Sequence, residues 1–377
     1  MSRRSAIGTI IATVAAGALE TLAYGAPEGL ASAAASHRRF FGAAVRTRTL
    51  LGERDLREAI LRECGHLVPE FEMNWNAIEP SYGQLSFDRM DTLASFAAAH
   101  GKPLRGHTLL WHLGVPDWAV GALRERRDWT LIARYFGSLI PRYGDVIDRW
   151  EVVNEPLDPG HRPDGLRQSV FLEAFGPDYI PRALEQARIF APRAQLIVNE
   201  YGLEYDLPDE RARRYLFLKL LERLKHAEAP LDGIGVQAHL DLRKGSVSQP
   251  AIAQFLRDVS GLGLSVIVTE LDVKEANYAA SPEVRDRLVG DEVRRYLDVV
   301  LSQRGVLGVT TWGLSDRHSW LEVTKDDYGR FTGAWTDGGG PGLNRGLPLD
   351  GAMRPKPMYY AIEDALSSIT PGSRQSF

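Results

Sequence analysis

The sequence predicts an α/β fold, a single-domain (β/α)8 TIM barrel, and three observations predict it. Eight short apolar or β-branched runs recur from residue 39 onward, helix-like stretches separate them, and polar residues gather at the C-terminal ends of the runs. The expected strands are Arg39 to Val45, His66 to Glu72, Pro103 to Trp111, Ile147 to Glu155, Ala194 to Tyr201, Gly233 to Leu240, Ser265 to Val273 and Val306 to Leu314. Several are continuously apolar at their centres, as in Leu196-Ile197-Val198 and Val266-Ile267-Val268, the pattern of strands buried on both faces of a parallel sheet.

The stretches between them have helical spacing. Asp91 to His100 places Leu93, Phe96 and Ala97 on one face, with Gly101 to end it. Pro208 to Ala227 carries Leu216, Leu220, Leu221 and Leu224 at helical intervals, and Pro208 suits a first turn. A last helix, Pro357 to Leu366, closes the wall after strand eight. A doubly wound open sheet is the competing arrangement. No Gly-x-Gly-x-x-Gly follows the first strand and no P-loop occurs, so nothing supports that arrangement, and no nucleotide or other cofactor is expected.

Composition narrows the function classes. Of 377 residues, 25% are charged and 44% hydrophobic, which excludes wholesale disorder. A formal net charge of -4 argues against a nucleic-acid binder and suits a neutral substrate. The single cysteine, Cys64, allows no intramolecular disulfide and reads as a buried thiol at a helix end.

The N-terminus stands apart. Arg3 and Arg4 precede a mildly apolar stretch from Ala6 to Leu19, and small residues follow, with cleavage expected after Gly25 or within Ala31 to Ser36. This is the pattern of an export signal, and the paired arginines fit the twin-arginine route. A poorly packed N-terminal helix of a cytoplasmic protein is the alternative. The expected organisation is therefore signal and linker over 1–36, the barrel over 37–370 and a tail over 371–377, with the product in the periplasm or outside the cell. No other segment is apolar over the roughly 20 residues a membrane span needs, so no stable membrane insertion is expected once the signal is removed. The irregular Gly- and Asp-rich stretch from Ser315 to Pro348 follows strand eight, on the side where barrel enzymes build active sites.

Barrel strands are apolar inside, yet these end in Glu70 and Glu72, His107 and Trp111, Asn154 and Glu155, Asn199 and Glu200, Gln237 and His239, Glu270 and Asp272, and Trp312. Taken singly, each has an ordinary structural reading: a carboxylate capping the next helix, a core indole, a satisfied histidine. Closure of the barrel brings seven such ends to one pocket. Carboxylates, imidazoles, amides and indoles together suit a sugar, which needs partners for its hydroxyls and flat faces for its C–H surfaces. Glu155 and Glu270 are the candidate catalytic pair: one carboxyl protonates a glycosidic oxygen while the other attacks the anomeric carbon, with retention if the two stand roughly 5–5.5 Å apart. His239 is a candidate partner for one of them, and Asp272 a candidate to orient His239. No metal is expected, since the histidines lack the HExxH or His-x-His spacing of a metal site.

Leu104-Arg105-Gly106-His107-Thr108-Leu109-Leu110-Trp111-His112, Trp150-Glu151-Val152-Val153-Asn154-Glu155-Pro156 and Val268-Thr269-Glu270-Leu271-Asp272-Val273 stand in this order along the chain. They resemble the strand-three signature, the acid/base motif and the nucleophile motif of glycoside hydrolase family 10, the endo-β-1,4-xylanases. Gly235-Val236-Gln237-Ala238-His239 and Thr311-Trp312-Gly313-Leu314-Ser315-Asp316, continuing to Ser319-Trp320, also fit, and the likeness runs from about Phe40 to Leu366 in family order. The resemblance implies Glu155 as general acid/base and Glu270 as nucleophile. It implies Asn154 on the sugar 2-hydroxyl, and Glu70, His107, Gln237 and His239 as further polar contacts. Trp111, Trp312 and Trp320 become walls, and Asp272 and Tyr201 supports. The implied substrate is β-1,4-xylan or a related plant polysaccharide or its oligosaccharides, hydrolysed by a monomer.

Three departures fall together. The family has Asn where this chain has Phe71, Lys where it has Asn74, and usually Gln where it has Gly114, all in the second sugar subsite on the non-reducing side. Strand five reads Asn199-Glu200-Tyr201-Gly202 where Asn-Asp-Tyr-Asn is usual. The core chemistry is thus expected intact and the second glycone subsite altered. The alternatives are a barrel glycosidase for another β-linked glycan or plant glycoside, and a carbohydrate-binding barrel without turnover.

Overall fold

The computed structural model describes residues 29–275, 280–322 and 344–368. Eight parallel staves close into a ring: β1 (Phe40–Val45), β2 (His66–Pro69), β3 (Leu104–Gly106), β5 (Ile147–Asn154), β6 (Gln195–Glu200), β7 (Gly233–Val236), β9 (Ser265–Lys274) and β10 (Val306–Thr311), the last pairing back onto β1. Two short strands, β4 (Leu110–Trp111) and β8 (His239–Asp241), prolong staves three and six beyond a break. Helices such as Asp88–Ala99, Pro208–His226 and Pro357–Ser367 form the outer wall, within a residue or three of where the apolar spacing puts them. The expected TIM barrel is the observed fold.

The strand ends depart from the sequence reading in a consistent way. Stave two stops at Pro69 rather than Glu72, stave three breaks over 107–109, stave four stops at Asn154, and stave six breaks at Gln237–Ala238. Glu155 and Ala238 lie at φ of 54° and 61°, in the left-handed region that extended pairing excludes. Ladder pairing ends at these points. Below the breaks, register lines up the polar positions: Asn154 pairs with Asn199, and Asn199 with Gly235. Gly235 has to be glycine, because a Cβ there would lie 2.1 Å from Asn199 Oδ1. Gly106 likewise admits the Trp150 ring, which a Cβ would meet at 2.4 Å.

The folded body starts earlier than residue 37. Leu30–Ala35 is a helix whose Leu30, Ala33 and Ala34 are fully buried. It packs on helices Arg54–Glu63 and Pro357–Ser367. Its first N–H, that of Leu30, donates to buried Glu63 Oε2 at 3.1 Å, an oxygen that also accepts from Tyr359 Oη at 3.0 Å. Small residues that read as a linker or cleavage region are in fact close-packing residues. Cys64 follows the Arg54–Glu63 helix and is buried, its thiol pushed far up by burial. The expected signal core and tail fall outside the described residues, as do residues 323–343 of the stretch after strand eight.

A chain beginning at residue 37 should therefore melt at least about 3 °C below one beginning at residue 26, since it loses the burial of Leu30 and its small neighbours. Equal melting temperatures in calorimetry would show that this helix contributes nothing to the body.

Candidate active site

The mouth is built on a buried charge cluster. Arg105, on β3, is ion-paired to Glu151, in the middle of β5, and donates to the Thr269 carbonyl at 2.7 Å. Glu151 Oε1 lies 2.8 Å from His107 Nδ1 and accepts from Asn199 Nδ2 at 3.1 Å. Asn199 Nδ2 also lies 3.0 Å from Asn154 Oδ1 and 2.7 Å from Glu270 Oε1, while its Oδ1 accepts from Thr269 Oγ1 at 2.8 Å. The two carboxylates, which only accept when ionised, fix which way the amide points. Asn199 thus ties β5, β6 and β9 together beneath the pocket.

Glu270 is completed on its other oxygen by His239, whose Nε2 is 3.2 Å from Oε2, and His239 Nδ1 is 2.8 Å from Asp272 Oδ1. Trp320 Nε1 donates to the second Asp272 oxygen. The carboxylate–imidazole–carboxylate line is the one expected from sequence. Burial alone would favour a neutral imidazole, but the Asp272 and Glu270 carboxylates outweigh it and hold His239 well above the ordinary histidine range. Burial would raise Glu270 too, but the His239 hydrogen bond, His107 and Arg105 bring it below the ordinary carboxylate value. His107 is also raised, burial being outweighed by Glu151.

Glu155 meets the opposite environment. Its Oε1 accepts from Gln237 Nε2 at 3.1 Å, and Asn154 Nδ2 lies 3.3 Å away. Burial raises it most; the Gln237 donor opposes, Glu270 raises it further, and Arg167 opposes without reversing the shift. Two glutamates at one mouth are thus driven apart, one toward the acid and one toward the anion. That arrangement can give a proton from one face and a nucleophile from the other.

The aromatic positions close the sides. Trp312 packs edge-on to His107 with ring centroids 5.0 Å apart, Trp111 lies 6.4 Å from the same imidazole, and Trp320 lies 5.3 Å from His239. Other predicted residues sit farther out. Glu70 is buried under Arg46, which grips both its oxygens at 2.7 Å. Tyr201 stands at the Arg167 edge, its hydroxyl accepting from Arg167 Nη2 at 2.8 Å. Glu72 turns away: its Oε1 accepts from the Thr47 N–H at 2.6 Å, at the start of helix Thr47–Gly52. His107, Glu151 and Glu270 bring possible metal-binding atoms within 4.8 Å of one another, but the His107–Glu151 contact, Arg105 and Asn199 already engage them. Sequence reasoning placed Asn199 among the converging strand ends without a partner, and gave no role to Glu151, Arg105 or Arg167. A polar Asn closing the apolar run Leu196-Ile197-Val198, and an Arg and a Glu inside otherwise apolar strands, were the available signals.

A closed parallel barrel with paired carboxyls, amides and indoles at the C-terminal mouth defines a barrel glycosidase. The model of glycosyl hydrolase family 10 matches residues 29–365, and the chain belongs to that family. It is 32% identical to endo-1,4-beta-xylanase 1 of Humicola insolens over 291 residues, covering 76% of this chain and 65% of that protein. It is 32% identical to endo-1,4-beta-xylanase A of Fusarium oxysporum f. sp. lycopersici over 299 residues, covering 77% and 88%. Among solved structures, xylanase 10B of Thermotoga maritima superposes with a TM-score of 0.77 at 26% identity, covering 90% of this chain and 98% of that one. Xylanase 10B of Thermotoga petrophila, solved with xylobiose, gives 0.76 at 26% identity, covering 90% and 97%.

The His239 imidazole should remain protonated above pH 7 in a nitrogen-detected NMR titration, and Asp272→Asn should lower its midpoint by at least about one pH unit. A neutral His239 at pH 7 in the unsubstituted protein would contradict the charge balance described.

Proposed function

We propose that the chain is a retaining endo-β-1,4-xylanase acting by double displacement on xylan and xylo-oligosaccharides. The observation that carries this reading is the pair of glutamates at the barrel mouth in a chain of this family, Glu155 against Gln237 and Glu270 against His239 and Asn199. Ionised Glu270 attacks the anomeric carbon while protonated Glu155 gives its proton to the departing oxygen. With Glu270 glycosylated, its negative charge no longer adds to the upward shift of Glu155, so Glu155 can take a proton from the water that frees the sugar. Asn154 is placed to bind the 2-hydroxyl at the cleavage point, with its own oxygen held by Asn199 and by Gln237 at 3.2 Å. Gln237 and His239 line the same sugar, and Trp111, Trp312 and Trp320 wall it.

The second glycone subsite is rebuilt in this reading. The Arg46 guanidinium, 5.3 Å over the Phe71 ring, brings a cation to Glu70 where the family has its lysine on the β2 loop, at the position of Asn74. Asn74 is buried, and its Oδ1 meets no partner among the described residues. A Cβ at Gly114 would lie 3.5 Å from Asn74 and Trp111, ordinary contact, so a side chain can start from there. Readout of an undecorated xylose by hydrogen bonds is weakened, which suits a decorated or short substrate.

Export follows the N-terminal signal reading of residues 1–28. Because Leu30–Ala35 is built into the body, processing belongs after Gly25 and not within Ala31 to Ser36. No helix among the described residues is long and apolar enough to cross a membrane. Edman sequencing of exported protein should begin at residue 26. A start inside 31–36 would refute this placement.

Glu270→Ala should lower kcat on xylo-oligosaccharides by about 10⁴-fold or more. Glu155→Ala should lose about 10²–10⁴-fold on the same substrates, but far less on a dinitrophenyl xylobioside, whose leaving group needs no proton. Strong turnover by Glu270→Ala would refute the assignment. Combining Phe71→Asn, Asn74→Lys and Gly114→Gln should raise kcat/KM on unbranched xylan by about tenfold, the worth of one or two restored hydrogen bonds. No gain would refute the subsite reading.

A further inference from the structure

The turn that carries Glu155 is unusual in how it is held. Glu155 keeps a left-handed backbone with φ of 54°, which a residue with a side chain rarely keeps unless its surroundings impose it. Here they do. The Glu155 N–H donates to the Asn199 carbonyl at 2.9 Å. All three carbonyls of Glu155–Pro156–Leu157 are then taken by one residue, Arg167. Its Nε donates to Glu155 O at 2.9 Å, its backbone N–H to Pro156 O at 2.7 Å, and its Nη2 to Leu157 O at 2.8 Å. Nη2 also reaches Tyr201 Oη at 2.8 Å, which anchors the guanidinium to the end of β6. A second layer fixes Leu157: its N–H donates to buried Glu200 Oε2 at 2.9 Å, and Arg213 Nη1 donates to its carbonyl at 2.9 Å.

We propose that Arg167 is a positioning residue of the glycosidase reaction, holding the turn that aims the Glu155 carboxyl at the scissile linkage. This rests on the acid/base reading of Glu155. A guanidinium suits the task, because its planar fork spans two carbonyls at once and keeps its charge at any working pH. The same charge acts on the carboxyl. The groups facing Glu155 include the Glu270 carboxylate from β9, the Gln237 amide, the Trp111 indole, Arg167, and Glu200 from β6, whose buried carboxyl is pushed up to about 8. His112 is held neutral down to about 3 by burial and by Arg167, so it adds no compensating cation. Removing the Arg167 charge takes away a cation that favours the Glu155 anion, so the Glu155 proton is retained to higher pH.

The test is the pH dependence of kcat/KM for the wild type, Arg167→Met and Arg167→Lys. Each is measured on xylotetraose and on a dinitrophenyl xylobioside, with Glu155→Ala alongside and thermal melts to confirm folding. Arg167→Met should lose about 10²-fold on xylotetraose and less than about threefold on the aryl substrate, with the alkaline limb moved to higher pH. Arg167→Lys keeps the charge but cannot bridge two carbonyls. It should leave the limb in place and lose about tenfold on xylotetraose. Equal losses on both substrates with an unmoved limb, or wild-type rates in Arg167→Met, would overturn the proposal. If Glu155→Ala itself loses equally on both substrates, Glu155 is not the proton donor and the proposal falls with that reading. If Glu155→Ala discriminates and Arg167→Met does not, Arg167 alone is misassigned.

Discussion

Everything at the mouth of this barrel depends on keeping one buried carboxylate ionised. Glu270 is removed from water, a position that by itself favours the neutral acid. Three cationic groups, His239, His107 and Arg105, reverse that preference, and Asn199 adds a donor at 2.7 Å. Each cation needs its own restraint. Asp272 orients His239, and Glu151 binds both His107 and Arg105. The ionisable groups therefore form one alternating lattice, in which loss of any single member strands an uncompensated buried charge.

The fold supplies the geometry that this lattice requires. Parallel staves in register set Asn154, Asn199 and Gly235 in one row across β5, β6 and β7. Glycine at 235 leaves the space that the Asn199 amide fills. The staves then break where side chains have to turn inward, at Glu155 and Ala238 with left-handed backbones. Rigid strands carry the charge lattice, and the turns just beyond them carry the groups proposed to meet substrate. Glu155 belongs to the second set, which is why its carbonyl and those of the next two residues are so fully bonded to Arg167.

The barrel was legible in the sequence because buried parallel strands and amphipathic helices leave different periodicities, and eight alternations of the two admit few other closures. The convergence of strand ends made His239 a partner for one of the two glutamates and Asp272 its support, without saying which glutamate. Strand limits were not, because apolar character continues past the point where pairing stops: Leu109 and Leu110 look like one strand with Leu104 although the chain breaks between them. Nor was the N-terminal helix. Leu30 and its alanines have the composition of a processing region, and only the Glu63 acceptor 33 residues away makes them part of the body. The Asn199 hub and the Arg167 clamp were illegible for the same reason. Each acts through partners distant in sequence, and each residue type alone has many ordinary explanations. Glu72 shows the converse, a strand-end acid that caps a helix instead of joining the pocket.

The account stands on two like residues being shifted in opposite directions within one pocket, Glu155 up by burial and Glu270 down by its cationic partners. Carbon-13 NMR of side-chain-labelled glutamate, followed from acid to alkaline pH and assigned with Glu155→Gln and Glu270→Gln, reads this directly. The account predicts two separate steps, with the Glu270 signal titrating below the ordinary carboxylate range near 4.3 and the Glu155 signal above it. A reversed order, or both signals titrating together at an ordinary carboxylate value, would contradict it.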